Sequence, residues 1–580
     1  MIAFVSDREE KGDFQLYLLD PISGASKSAP RVDGWIEYLR WSNDGSQILL
    51  AVAGHASDNA GAHGGVEGVA SSPGAESWIP EVETGDDNGR RRSSWIYHVG
   101  LNTVEQVSPT ELNVWEVDWC GPAALVAVGS ARSEEGAWYG ASLHVIDVEQ
   151  KISREIYKSQ DQLGWPSASP SGRHVAVVEA VCSDRWCVAG ELLLIDVASS
   201  SLTRVPTNEA DICHTKWRGN HRILLGAHRG FDSLVMEFDL TSQVLTESWA
   251  SREIAATGNY VHPVPCGEGV GDCVFLAEGY RQAPTVAVIE GGNYRAVRNF
   301  GRTAESRVHD WLRSTEPITW RAPDGTEIEG WLLLPKGAGP FPLVMCVHGG
   351  PISSVRPHWS GRFGITLTNT MLLKRGYAIF QPNPRGSSGR GQAFARKVKG
   401  DINGADALDC LSGLDILVAR GVADPHRIGV TGGSYGGNMA CWLVTQDQRF
   451  AAAVAVAPHC DQVSQHLMSN IPEFDEMFIG EKYSSPNGKY YERSPIMHAH
   501  KARTPTLCIA GALDRSTPAN QAIEFHNALR MHGVKSALAI YPEEGHGIRN
   551  FPAMLDCAAR AVSWFEEHMG AAFQPAIGTA

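Results

Sequence analysis

Thr431-Gly432-Gly433-Ser434-Tyr435-Gly436-Gly437 follows the apolar run Arg427-Ile428-Gly429-Val430 and precedes Asn438-Met439-Ala440-Cys441-Trp442-Leu443-Val444. The first flank reads as a strand and the second as a helix, which is the context a G-x-S-x-G nucleophile turn requires. A serine at such a turn sits in strained backbone, so its close neighbours must lack a Cβ. Glycines at 432, 433, 436 and 437 meet that need. The turn would lift Ser434 Oγ above a sheet edge and aim the Tyr435 N–H, at a helix N-terminus, toward a developing oxyanion. A plain Gly-rich turn has the same letters, so the reading depends on partners.

Around this stretch strands and helices alternate. Strands are expected at 342–347, 377–381, 427–431, 453–457, 506–510 and 537–541, and helices near 365–375, 405–420, 435–446, 519–532 and 552–568. A hairpin over 318–335, turning at Pro323-Asp324-Gly325, precedes them. Such alternation specifies a doubly wound sheet with active groups at the carboxyl ends of its strands. In the chain order of that fold an acid and then a histidine follow the serine. Asp514 follows the run ending Ala510-Gly511-Ala512-Leu513, and His546 follows Tyr541-Pro542-Glu543-Glu544-Gly545. His546 would take the Ser434 proton and return it to the leaving group, with Asp514 holding its tautomer. Asp475 and Glu544 are weaker candidates for the acid. Val347-His348-Gly349-Gly350-Pro351, after an early strand, stands where a second oxyanion donor belongs.

The first ~305 residues have another texture. Short apolar strands end in an acid or a turn, as in Leu16-Tyr17-Leu18-Leu19-Asp20, Leu143-His144-Val145-Ile146-Asp147, Leu192-Leu193-Leu194-Ile195-Asp196 and Val235-Met236-Glu237-Phe238-Asp239. The later ones recur every ~45–50 residues, the period of a four-stranded blade. Turns such as Ser42-Asn43-Asp44-Gly45 feed further strands. A six- or seven-bladed β-propeller over 1–305 and an α/β-hydrolase domain over 306–580 are the expected architecture. The Gly, Ala and Ser-rich run from His55 to Gly74 and the polar 86–93 break the period and read as a surface insertion.

The chain of 580 residues is 43% hydrophobic, 20% charged and carries a formal net charge of −15. That balance argues against nucleic acid or an anionic membrane as partner. The N-terminal residues lack a signal-peptide pattern, and no apolar run reaches membrane-spanning length. Twelve scattered cysteines, several inside apolar runs, point to buried free thiols and a cytoplasmic setting; Cys182 and Cys187 are spaced so that they could pair. No cofactor or metal site is indicated, and His498 and His500 read as ordinary polar contacts.

A propeller followed by His348-Gly349-Gly350-Pro351, Asn383-Pro384-Arg385-Gly386-Ser387-Ser388-Gly389, Gly432-Gly433-Ser434-Tyr435-Gly436-Gly437 and Glu544-Gly545-His546-Gly547 resembles the prolyl oligopeptidase family of serine peptidases, its acylaminoacyl-peptidase branch in particular. The resemblance covers about 320–570 and is only architectural over the propeller. It implies a propeller that caps the site and admits short peptides, Gly350 and Tyr435 sharing the oxyanion, and an apolar specificity pocket from Phe474 and Phe478. It also implies an arginine two residues after the catalytic acid. Here Ser516 holds that place and Arg515 stands one position early. The implied function is release of acylated or free N-terminal amino acids from short peptides. An esterase, amidase or cyclase of a specialised metabolite, and a propeller scaffold with an inert hydrolase domain, are the alternatives. A homo-oligomer is left open.

Overall fold

The computed structural model describes residues 1–57, 90–256, 260–301, 311–359, 364–485 and 487–570. The insertion read at 55–93 falls almost wholly outside the described residues, as does the expected division at 305/306.

The N-terminal half is a six-bladed propeller. Blade one has three strands, Ile2–Ser6, Gln15–Leu19 and Ser26–Ser28. Blades two to five, at 35–106, 113–158, 162–205 and 211–251, are four-stranded antiparallel meanders. Blade six, 255–299, opens with two short strands, Ala255–Ala256 and Val264–Pro265, on a single neighbour. The acids that end the strands have a physical task. Asp20, Asp147, Asp196 and Asp239 each accept a backbone N–H two or three residues on, at 2.7–3.0 Å, and so close the hairpin turns. Buried second and third strands and exposed outer strands follow the same logic, since only the outer strand of a blade meets water on its edge.

The C-terminal half holds one eight-stranded sheet. Its strands are β1 Leu312–Arg321, β2 Glu327–Pro335, β3 Phe341–Val347, β4 Ala378–Asn383, β5 Ala423–Gly433, β6 Phe450–Val456, β7 Thr506–Gly511 and β8 Ser536–Tyr541. They lie in the order β1-β2-β4-β3-β5-β6-β7-β8. The pairs β1–β2 and β2–β4 are antiparallel and the rest parallel. The central strands are unbroken apolar runs because helices cover both faces; all seven residues of β3 are buried. One core lies under helices 405–419, 435–446 and 520–531, and a second under 364–374 and 553–569. The helices 462–468 and 472–479 lie between β6 and β7, where the sequence reading placed none.

The halves are pinned together by backbone and amide contacts. Gln392 accepts from Val181 N at 2.9 Å and donates to Ala189 O at 3.0 Å. Ile352 N donates to Ser183 Oγ, Trp359 N to Glu278, and Gly136 N to Asn470 O. The carboxyl ends of the hydrolase strands therefore face the propeller.

Candidate active site

Ser434 stands between β5 and the helix Tyr435–Gln446 with φ 58° and ψ −123°. That conformation costs about 1–3 kcal/mol and survives only where surroundings enforce it. The enforcement is steric. A side chain on Gly436 would collide with the Val347 carbonyl, so the helix can start this close to β3 only with glycine there. Ser434 N donates to Val456 O at 3.0 Å, which fixes the turn to the end of β6.

The next strand along carries the acid. Asp514 follows β7, and its Oδ1 accepts from Ser516 N at 3.0 Å and Thr517 N at 2.9 Å. Its Oδ2 lies 2.8 Å from His546 Nδ1. His546 follows β8. Thr517 Oγ1 lies 2.9 Å from Asp514 Oδ2, 3.1 Å from His546 Nδ1 and 3.0 Å from Ala457 O. Ala457 is the residue after the one that holds Ser434 N, so Thr517 links the Asp–His pair to the serine turn. Sequence reasoning missed Thr517; its only signal is a Thr-Pro pair three residues after the acid.

Burial opposes the charged form of His546, but the Asp514 charge and hydrogen bond, with a smaller contribution from Asp184, outweigh it and raise the imidazole above its ordinary value. Asp184 comes from the propeller, in the loop between the second and third strands of blade four. Burial raises its carboxyl, opposed by the Ser183 hydroxyl and by His546. Its neighbour Arg185 is held in a buried four-charge network. Arg185 Nε lies 3.1 Å from Glu135 and its Nη2 3.5 Å from Glu37, while Arg92 lies 3.3 Å and 3.2 Å from the same two acids. No local pattern in the sequence marks Asp184.

The His348–Pro351 loop lies beside the serine. A Cβ on Gly349 would stand 3.5 Å from Ser434 Cβ. His348 Nε2 bonds Ser387 Oγ at 2.9 Å, and its Nδ1 lies 2.6 Å from Gly349 O, which tie the loop to the Asn383–Gly389 segment. Burial brings His348 down to about 4, so it is a neutral strut at neutral pH. Gly350 has φ +118°, a conformation glycine adopts readily. The Tyr435 hydroxyl donates to Asp406 at 2.8 Å, which commits its side chain elsewhere and leaves its backbone N–H, in the first turn of the helix after Ser434, as the group it can offer.

Phe474 and Phe478 stack with ring centroids 4.7 Å apart. Phe474 packs edge-on against His459 at 5.8 Å, and His459 is near enough to His546 to feel its charge. Phe478 is wholly enclosed in the hydrolase core. Arg515 does not join them: it lines a cavity of about 280 Å³ with Arg92, Glu134 and Glu135 of the propeller. Ser516 is buried beside Asn470, 3.4 Å from its Oδ1. The weaker acid candidates have other places. Glu544 accepts from Arg549 N and Asn550 N and shapes the loop after His546. Asp475 is buried without a hydrogen-bond partner, and burial raises its carboxyl well above the usual range.

Cys182 and Cys187 are free thiols, as are the other ten cysteines. Among the described residues no group of three or more His, Cys, Asp or Glu side chains is arranged to hold a metal ion, and no helix is long and apolar enough to cross a membrane. His498 Nε2 lies 2.9 Å from Glu492 O.

A propeller stacked on an α/β-hydrolase sheet, with an acid–histidine pair and a strained serine turn at the strand ends, defines a class. Residues 364–572 match the model of the prolyl oligopeptidase family, so the chain carries a catalytic domain of that family. It is 33% identical over 262 residues to the uncharacterized peptidase YuxL of Bacillus subtilis, which covers 44% of this chain and 39% of that protein. It is 31% identical over 467 residues to dipeptidyl-peptidase 5 of Porphyromonas gingivalis, 75% of this chain and 64% of that protein. The chain thus spans less than two thirds of either relative's length. The acylaminoacyl peptidase of Pyrococcus horikoshii shares the fold over 99% of this chain and 87% of its own, with a TM-score of 0.76 at 19% identity.

Proposed function

We propose that the chain is a serine peptidase that releases an N-terminal acylated or free amino acid from short peptides. Ser434 attacks the scissile carbonyl, His546 takes its proton and delivers it to the leaving amine, and Asp514 orients the imidazole and stabilises its charged form. The N–H groups of Tyr435 and Gly350 hold the oxyanion, and water then releases the acyl group. Phe474, set against His459, is the wall of an apolar pocket for the residue before the scissile bond. Arg515 faces the propeller side of the site and contacts substrate from there. The observation that carries the reading is the His546–Asp514 contact of 2.8 Å, linked through Thr517 to the strand that anchors Ser434. Peptides are favoured over plain esters because the propeller's Asp184 stands near enough to His546 to act on its charge, and because the similar proteins carry peptidase names. The hydrolase and propeller divide near residue 305, and the twelve free thiols suit a reducing, cytoplasmic setting.

The test is a panel of short peptides with free and acylated N-termini, plus matching chromogenic esters, digested and read by mass. Release of single N-terminal residues from peptides is the expected result. Turnover of esters alone, with every peptide intact, would assign the site to an esterase instead.

A further inference from the structure

Where blade five meets the hydrolase, hydrogen-bond donors gather that nothing in the chain accepts. Asp211, His228 and Ser233 stand directly opposite one another across the first three strands of the blade, so their side chains share a face. Arg356, from the loop after β3, enters against this row and is 1% exposed. Its Nη1 donates to the Asp232 carbonyl at 3.3 Å. Its Nε and Nη2 have no partner, and neither do the two ring nitrogens of His228 or the Ser233 hydroxyl. The groups are contiguous. The Tyr260 ring lies 5.7 Å from the His228 ring, and Arg356 Nη2 and the His228 side chain both crowd the same side of Gly389. Gly389 has φ +92°, and a side chain there would collide with the guanidinium, so the close approach needs glycine.

Asp211 and Glu329 act on Arg356 through their charge but accept no hydrogen bond from its Nε or Nη2. Asp211 is turned to Gly389 N at 2.6 Å, Gly391 N at 3.2 Å and Gln392 Nε2 at 3.3 Å. Burial raises the Glu329 carboxyl above its usual range despite Arg390 and Arg356. Burial likewise holds Arg356 below the usual guanidinium range. Two N–H edges of a buried guanidinium left without an acceptor are unfavourable, and together with the Ser233 and His228 donors they are matched by an anion with two acceptor oxygens.

We propose that Arg356, His228 and Ser233 form a carboxylate-binding site between blade five and the hydrolase, and that it takes the C-terminal carboxylate of a short peptide substrate. The assignment to substrate rests on the peptidase reading above. Arg356 stands six residues after Gly350, so the site lies within about 22 Å of the oxyanion donors. A leaving peptide of roughly six residues or fewer spans that distance when extended. The site thus recognises the far end of the substrate while Ser434 acts on the near end, and it selects against long chains.

Matched short peptides, as free acids and as C-terminal amides, test this. The wild type should prefer the acid by at least about tenfold in kcat/KM, expressed in KM, and Arg356→Gln should erase the preference. Ser233→Ala, which removes one hydroxyl, is read beside it in case Arg356→Gln fails to fold; it should narrow the preference. Calorimetry with the Ser434→Ala protein keeps the site separate from the reading of function: acids should bind more tightly than amides there even if the wild type cleaves neither. Equal KM and equal binding for acids and amides would overturn the proposal. Thermal stabilisation by acetate without any acid-over-amide preference would overturn the assignment to substrate and leave a site for a free anion.

Discussion

The hydrolase and the propeller contribute to one site in opposite ways. Ser434, Asp514 and His546 each stand a few residues past a parallel strand, at places the topology fixes. Asp184 and Arg185 stand in a loop within blade four, at a place nothing in a propeller requires to be functional. In the proposed mechanism the hydrolase residues are the ones that meet the reacting atoms. The propeller residues act through burial and charge, and a buried network at Arg185, with the Ser183 contacts beside it, helps to fix them. Chemistry is written locally in this chain, whereas the environment of that chemistry is assembled from distant segments.

That contrast breaks most visibly at Glu135. Glu135→Ala removes one of the two acids that pair with both Arg92 and Arg185 inside the propeller, and removing one partner of a buried charge set costs about 3–5 kcal/mol. Urea unfolding should show an early propeller transition with the hydrolase transition little changed. Coincident, wild-type transitions would mean that the network does not hold the Asp184 loop.

A smaller effect is expected from Asp184→Asn. In the proposed mechanism His546 is the base and must be neutral, so activity should rise with pH as it loses its proton. The Asp184 charge favours the imidazolium and raises that midpoint. Removing it should move the acid limb of kcat/KM toward lower pH and raise relative activity at acidic pH. A limb that stays in place, or moves upward, would show that the propeller does not tune the base.

The same contrast explains what the sequence disclosed. Strand, Gly-flanked serine and helix stand together in one run, and the acid and histidine follow in the order that the sheet dictates. The turn-closing acids at Asp147, Asp196 and Asp239 revealed the blade period. The number of blades was less legible, because blade one has three strands and blade six begins with two strands of two residues each. The helices 462–468 and 472–479 are short, and their signals are an Asp461 cap and Pro472 at the first turn, which periodicity does not register. Asp184, Thr517 and Arg356 have no motif at all. Their roles come from what the fold places opposite them.

The most direct measurement is fluorophosphonate labelling of the intact protein followed by peptide mapping. A single adduct on Ser434, absent in Asp514→Asn and His546→Ala proteins that remain folded, is the predicted result. Full-rate labelling in those variants, or no adduct on Ser434 in the wild type, would contradict a serine activated by the His546–Asp514 pair.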